Sequence, residues 1–167
     1  WSLILRAQKE LGLSDDERLT STRGLPSYKK MMTEEDALLH LTWCIANIDK
    51  GADDDKSATP LENDYHNLII AKESITFNSK DFNALRKKLN NNINQIVKEA
   101  SNSLGSSTVD WKIKCLGYMQ KMAHISQEDD LENNMSDKEW ALILDVQKKL
   151  GLSKDDRLRS QNGLPSL

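Results

Sequence analysis

Residues 140–158 read WALILDVQKKLGLSKDDRL, and residues 1–19 of the same chain read WSLILRAQKELGLSDDERL. The likeness continues through a GLPS tail in each copy, so that residues 1–27 align without a gap with residues 140–166, and 18 of the 27 aligned positions are identical. The offset of 139 residues is a common domain length. Solenoid repeats have shorter periods of about 20–50 residues. The pattern therefore predicts tandem copies of one domain rather than a continuous superhelix.

Each copy has the pattern of a helical hairpin. In the second copy, Ser136 and Glu139 form a capping box, and Gly151 ends the helix that follows. Ser153 then caps a second, shorter helix whose first turn is acidic. We expect the longer helix to bury Trp140 against the rest of the domain, because this ring belongs to an apolar stripe at helical spacing. The stripe comprises Trp140, Ile143, Leu144 and Leu150.

Four longer amphipathic helices are predicted between the copies. Their expected N-terminal caps are Thr33, Thr59, Ser79 and Thr108. The first is predicted to continue to Lys50, and the third to run without a break to Ala100. Leu61 is placed on the buried stripe of the second helix. We find no strict alternation typical of strands, so the predicted class is all-α: a helical bundle of four longer helices plus a duplicated short helical hairpin at each end.

The domain organisation follows from the repeat. Residues 28–167 are predicted to form a complete helical-bundle repeat unit, and residues 1–27 to be a helical hairpin, the tail of a preceding copy. Trp1 is not a translation start, so we expect the chain to be cut from a longer tandem-repeat protein. The alternative is one domain in which the two hairpins are related by pseudo-symmetry. Against this alternative, residues 28–139 contain no internal sequence repeat of their own.

The composition narrows the functional classes. The chain has 167 residues, 38% of them hydrophobic and 29% charged, as a globular protein requires. A net charge of −3 gives no general attraction to nucleic acid. No apolar run approaches the roughly 18 residues that a membrane span needs. Cys44 and Cys115 form no CxxC pair, so we expect two buried free thiols and favour a reducing intracellular compartment.

Two features suggest nucleic-acid binding but have simpler explanations. The segment AQKELGLSDDERL at residues 7–19 resembles a helix-turn-helix unit in its alanine and its turn glycine. Its second helix, however, begins with Asp15, Asp16 and Glu17, which would repel phosphates. The basic run Arg86, Lys87 and Lys88 could contact phosphate, but three adjacent cations point to different sides of a helix. A solvated helix face is therefore the expected role of this run.

The sequence predicts no metal site, no cofactor and no catalytic centre. The acidic run at residues 53–55 does not fit the EF-hand spacing, because Lys56 stands where the loop glycine belongs, and we expect this run and the one at residues 128–132 to be solvated linkers. His40 and Cys44, one helical turn apart, would supply only two ligands for zinc. None of the common catalytic or phosphate-binding motifs is present. We therefore expect a protein that is not an enzyme.

The predicted function is that of a non-enzymatic structural or interaction module, excised from a tandem-repeat protein and presenting repeated helical surfaces. Tandem copies gain avidity through effective concentration. Its partner would be another protein or an adjacent repeat copy, and self-association through residues 1–13 is one expected form. The alternatives are a nucleic-acid-associated regulator that uses the helix-turn-helix-like hairpin and an apolar small-ligand carrier. The candidate partner-binding residues are Trp1, Ile4, Leu5, Leu11, Arg86, Lys87 and Lys88.

Overall fold

The computed structural model describes residues 6, 9–10, 32–50, 58–76, 92–125 and 135–166. These residues are helical or in turns and include no strand, which confirms the all-α class. The helices are α1 (Glu34–Ile45), α2 (Pro60–Lys72), α3 (Ile93–Ser103), α4 (Val109–Ile125), α5 (Asp137–Lys149) and α6 (Lys154–Arg159), with a 3-10 turn at Leu104–Ser106. No helix in this described part is long and apolar enough to cross a membrane.

The chain divides into two compact units, Trp1–Met31 and Met32–Leu167. Of the first unit, only Arg6, Lys9 and Glu10 are described. They are helical, and Arg6 Nε donates to Glu10 Oε1 at 3.1 Å. Helices α1 to α6 all belong to the second unit. The predicted repeat boundary after residue 27 stays a prediction.

Helix α1 is the central helix of the second unit. Thr33 caps it, accepting the backbone N–H of Asp36 at 3.0 Å, and every residue from Ala37 to Ile45 is buried. It packs mainly on α3 and α4. The helix ends at Ile45 and not at Lys50 as predicted. Beyond Ile45 the backbone forms turns, with hydrogen bonds between residues three apart instead of four. One such bond joins the Asn47 N–H to the Cys44 carbonyl at 3.3 Å.

Helix α2 begins as predicted, but Leu61 does not lie on its buried face. The Thr59 hydroxyl accepts the Glu62 N–H at 3.2 Å, and Glu62 Oε2 accepts the Thr59 N–H at 2.6 Å. Glu62, Tyr65 and Ile69 are buried, whereas Leu61 is 57% exposed. The prediction that Leu61 is buried is therefore wrong. The carboxylate of Glu62, the next residue, is buried instead, and Tyr65 and Ile69 lie on the same face of the helix as Glu62.

Helix α3 begins at Ile93, so the predicted third helix is not continuous through residue 92. Asn92 has an extended backbone, with φ −170°, and its side chain accepts the Gln95 N–H at 3.1 Å. Asparagine is a strong N-cap because its carbonyl satisfies a free N–H of the first turn. A helix unbroken from Ser79 to Ala100 is therefore excluded at residue 92. Residues 77–91, including the cap predicted at Ser79, lie outside the described part of the chain.

Helix α4 holds the C-terminal segment, which we define as residues 136–166. Helix α4 contacts α1, α2, α5 and α6. At Gly117 the segment comes so close that an added Cβ would lie 2.0 Å from the Ser160 carbonyl oxygen and 2.6 Å from Leu164 Cδ1. Only a residue without a Cβ allows this approach of helix and chain.

Polar side chains around Gly117 hold the end of the same segment. Gln120 Nε2 donates to the Arg157 carbonyl at 3.1 Å, and Lys121 Nζ donates to Ser166 Oγ at 2.7 Å. From α2, the hydroxyl of Tyr65 donates to the Pro165 carbonyl at 3.2 Å. We call the receiving surface the tail cleft. It is formed by Tyr65, Gly117, Gln120 and Lys121.

Candidate protein-docking surface

The start of α5 fixes which of its faces meets the core. Ser136 Oγ accepts the Glu139 N–H at 3.1 Å, and Glu139 Oε2 accepts the Ser136 N–H at 2.9 Å, so the predicted capping box is confirmed. Glu139 is 3% exposed, and Leu142, Ile143 and Val146 follow it on the buried face. Leu142 and Ile143 lie three and four residues after Glu139, and Val146 lies four and three residues after them, so all four share one side of the helix.

The ring of Trp140 lies on the outer side of α5. It is 38% exposed, and Leu144, one turn later, is 39% exposed. The prediction that Trp140 is largely buried is therefore wrong, as is the inward placement of Leu144. The apolar stripe contained more residues than one face can bury, and Glu139 and Val146 place the core face away from these two.

A guanidinium group covers the Trp140 ring. Arg157 Cζ lies 4.6 Å from the ring centroid, within the range of a cation–π interaction. Arg157 Nε also donates to Gln147 Oε1 at 2.8 Å, and Gln147 Nε2 donates to the Leu152 carbonyl at 3.2 Å. The Arg157 side chain of α6 is thus held over α5 by two contacts, one with the Trp140 ring and one with Gln147. Its position does not require a bound partner.

The short helix α6 places these groups through its own cap. Ser153 Oγ accepts the Asp156 N–H at 3.1 Å, and Asp156 Oδ2 accepts the Ser153 N–H at 2.8 Å. These bonds to Ser153 hold the pKa of Asp156 below its usual range. Leu158, next to Arg157, is 64% exposed. We define the Trp140 surface as Trp140, Leu144, Arg157 and Leu158.

All four residues of the Trp140 surface recur in the first copy of the repeat. The aligned pairs are Trp1/Trp140, Leu5/Leu144, Arg18/Arg157 and Leu19/Leu158. Several charged positions that are exposed in the second copy behave differently, since the pairs Arg6/Asp145, Glu10/Lys149 and Asp15/Lys154 reverse their charge, although Lys9/Lys148 and Asp16/Asp155 keep theirs. Packing within the fold explains why buried positions are alike. It does not explain why these exposed apolar positions are identical while several exposed charges are reversed.

The seven residues that the sequence singled out for partner binding lie outside the described part of the chain. The alignment nevertheless divides the four residues of the first copy into two groups, according to whether their counterparts in the second copy are buried or face outward. Ile4 and Leu11 align with Ile143 and Leu150, which are buried, whereas Trp1 and Leu5 align with outward-facing residues. Sequence reasoning overlooked Arg157 and Leu158. Both residues are identical in the two copies, and this repetition is the feature of the sequence that could have identified them. The run Arg86, Lys87 and Lys88 has no counterpart in the repeat.

His66 and both cysteines belong to the interior. Thr42 Oγ1 and His66 Nε2 are 2.8 Å apart, and the His66 ring stacks on Trp43 with centroids 4.8 Å apart. Burial lowers the pKa of His66 to about 4 and raises the pKa of both Cys44 and Cys115. A neutral imidazole and protonated thiols are poor nucleophile partners. Among the described residues no three His, Cys, Asp or Glu side chains form a group that could hold a metal ion.

One partly buried carboxylate lies where α2 meets α4. Glu73 Oε1 accepts the Tyr118 hydroxyl at 2.6 Å, and Glu73 Oε2 accepts from Lys114 Nζ at 2.9 Å. Burial and the bonded carboxylate raise the pKa of Tyr118. The next residue, Ser74, has a positive φ of 53°. The cluster ties the end of α2 to α4, so its evident role is structural.

Comparisons with protein-family models, curated proteins and solved structures found no match to this chain. The functional assignment therefore depends on the residues and contacts of the chain itself.

Proposed function

We propose that this chain is a non-enzymatic protein-interaction module of a tandem-repeat protein, and that the Trp140 surface binds a protein partner. Residues 28–167 would be one helical-bundle repeat unit, and residues 1–27 the tail of a preceding copy. The supporting observation is the repetition of three apolar residues, Trp140, Leu144 and Leu158, each of which is more than a third exposed in the second copy. Each copy would present the same surface to the partner.

The chemistry of the Trp140 surface suits protein recognition. Tryptophan and arginine are the side chains that most often dominate the binding energy of protein interfaces. The ring and Leu144 together offer a broad apolar area. Arg157 adds a cation whose guanidinium N–H groups can donate hydrogen bonds to a partner. Because Gln147 already holds Arg157 in place, binding would cost little additional side-chain entropy.

Repetition of the surface would strengthen binding to a partner that has more than one matching site. Once one copy is bound, the tethered second copy meets its site at an effective concentration that reaches the millimolar range for short flexible links. A modest affinity per copy then gives a tight complex. This benefit is available to a binding module and is not needed by an enzyme domain.

The proposal is tested by using the full chain as bait and identifying its partner, followed by calorimetry with the purified partner. Trp140→Ser with Leu144→Ser should weaken binding at least about 30-fold, since a hot-spot residue contributes 2 kcal/mol or more. The matched control replaces two exposed positions that differ between the copies, Asp145→Ser with Lys154→Ser, and should bind as the unaltered chain does. Equal binding by both variants would contradict the proposal.

Two controls complete this experiment. Trp1→Ser with Leu5→Ser removes the aligned residues of the first copy, and should reduce avidity without abolishing binding by the second copy. Titration at several salt concentrations separates the nucleic-acid alternative, for which affinity would fall steeply with salt. Asp155 and Asp156 at the start of α6 oppose that alternative. The apolar-carrier alternative predicts a lipid that co-purifies with the chain.

A further inference from the structure

The contacts of the C-terminal segment show which chemical groups the tail cleft and the adjoining core surface bind. The segment contributes buried apolar side chains from α5 and the loop after it, then a closely packed turn at Ser160, then Leu164 beside Gly117. Two of the bonds that hold it, at Arg157 and Pro165, are accepted by backbone carbonyls. Backbone contacts of this kind place no demand on the identity of the side chain.

The same groups occur in residues 1–27. The contacting positions of the segment align as Leu142/Leu3, Ile143/Ile4, Val146/Ala7, Leu150/Leu11, Leu152/Leu13, Ser160/Ser21, Gln161/Thr22, Leu164/Leu25, Pro165/Pro26 and Ser166/Ser27. All but two of these pairs are identical. The exceptions replace valine by the smaller alanine, and replace Gln161, which donates to Gln120 Oε1 at 3.3 Å, by the shorter threonine. No aligned pair introduces a charge or a larger side chain at a contacting position.

We propose that residues 1–27 of one chain bind the tail cleft of a second copy, in place of that copy's own residues 140–166. This inference rests on the proposed tandem-repeat function and names a partner for it: another copy of the unit. The exchange is a form of domain swapping, in which an equivalent element from a neighbour fills a site built for the chain's own.

The balance between the two occupants is set by tethering. The chain's own segment is covalently attached to the cleft it fills and has the advantage of effective concentration. Residues 1–27 also lose the contacts of the two methyl groups by which Val146 exceeds Ala7, which weakens their packing. Exchange is therefore rare between dilute chains, and becomes favourable when the chain's own segment is weakened or when linked copies lie side by side.

The test uses a full-length acceptor whose own two segments are disabled. Ile143→Asp with Leu164→Asp places charges in the buried contacts of residues 140–166, and Ile4→Asp with Leu25→Asp does the same for residues 1–27. A fluorescent peptide of residues 1–27 is then titrated into this acceptor, and its anisotropy is followed. The peptide of residues 140–166 is the positive control, and a 1–27 peptide with Ile4→Asp and Leu25→Asp is the matched negative control.

The peptide of residues 1–27 should bind with a Kd within about tenfold of that of the 140–166 peptide, because their contacting residues differ only by one buried Val-to-Ala change and by threonine in place of Gln161. The charged control should bind at least about tenfold more weakly than the unaltered 1–27 peptide. Binding of the 140–166 peptide without binding of the 1–27 peptide would overturn the proposal. Adding Gly117→Ala to the acceptor should weaken both functional peptides.

A milder acceptor covers the case in which four charges prevent folding, as judged by circular dichroism. In full-length Leu164→Ala, a peptide that binds the folded cleft should raise the midpoint of thermal unfolding. If the 1–27 peptide exceeds its charged control in neither acceptor, the proposal is wrong. Trp140 and Leu144 are unaltered throughout, so failure of the Trp140 surface to bind a partner is a separate result.

Discussion

At Gly117 a single missing Cβ allows the C-terminal segment to rest on α4. We expect Gly117→Ala to lower the free energy of unfolding by about 1–3 kcal/mol, the usual cost of overpacking, despite the better helix propensity of alanine. Chemical denaturation measures the loss. Gly105→Ala is the matched control, because no atom lies within 4 Å of the added Cβ, and it should change stability by less than about 0.5 kcal/mol. Equal effects would contradict the close approach.

Trp140 and Ile143 are three residues apart on α5, but only Ile143 belongs to the core. Ile143→Ala should cost about 2–5 kcal/mol, because the side chain is fully buried. Trp140→Ala should cost about 1–2 kcal/mol, from partial burial and the interaction with Arg157. Denaturant unfolding of both variants gives the comparison. A larger loss for Trp140→Ala would place the ring in the core and remove it from the docking surface.

His66 makes stability depend on pH between about 4 and 6.5. Its folded pKa is lowered to about 4 by burial, and an unfolded histidine has a pKa of about 6.5. As pH falls through this window the unfolded chain gains a proton that the folded chain does not, so stability decreases, by about 3 kcal/mol over the full window. Denaturation at a series of pH values checks this. His66→Gln should flatten the profile in that window, and an unchanged slope would exclude His66 as the cause.

Among the helices, α5 depends most visibly on its cap. Ser136 accepts the Glu139 N–H and also donates to Asp49 beyond the end of α1. Ser136→Ala should therefore cost about 1–2 kcal/mol, near the upper end for a lost N-cap. Ser106→Ala, at an exposed serine of the 3-10 turn, should cost less than about 0.5 kcal/mol. If the two variants unfold at the same denaturant concentration, the cap is not important for stability.

Helix starts were readable from the sequence where a cap is a local interaction. The caps at Thr33, Thr59, Ser136 and Ser153 were all predicted, because a side chain meets an N–H only three residues away. The start of α3 was not, since the apolar spacing continues through Asn92 and gives no sign of a break.

The rotation of a helix about its axis was less predictable than its start. Leu61 and Trp140 were placed in the core, but an adjacent glutamate turns inward at each site, at positions 62 and 139. Only the packing of other helices decides between such neighbours. The Trp140 surface was partly predictable for a related reason. Repetition identified its residues, but the contact between Arg157 and the ring joins two helices and exists only in the fold.

For the second unit as a whole, the two cysteines report whether its core opens in one step. Cys44 on α1 and Cys115 on α4 are free and fully buried, and burial raises the pKa of both thiols. Both should react with a thiol reagent only through unfolding, at the same rate and with the same dependence on denaturant. Mass spectrometry of partially labelled chains tests this. A singly labelled species formed under native conditions would show that part of the core opens independently.

The burial of α1 also has a consequence for synthesis on the ribosome. The helix is made before its main partners, α3 and α4, which are complete only at Ile125, about 80 residues after Ile45. At about 5–20 residues per second, an almost wholly apolar segment waits roughly 4–16 s for the surfaces that will cover it. During that interval the nascent chain presents the kind of sequence that chaperones bind. Slow translation between residues 46 and 125 would thus increase aggregation of this protein without changing the stability of its finished fold.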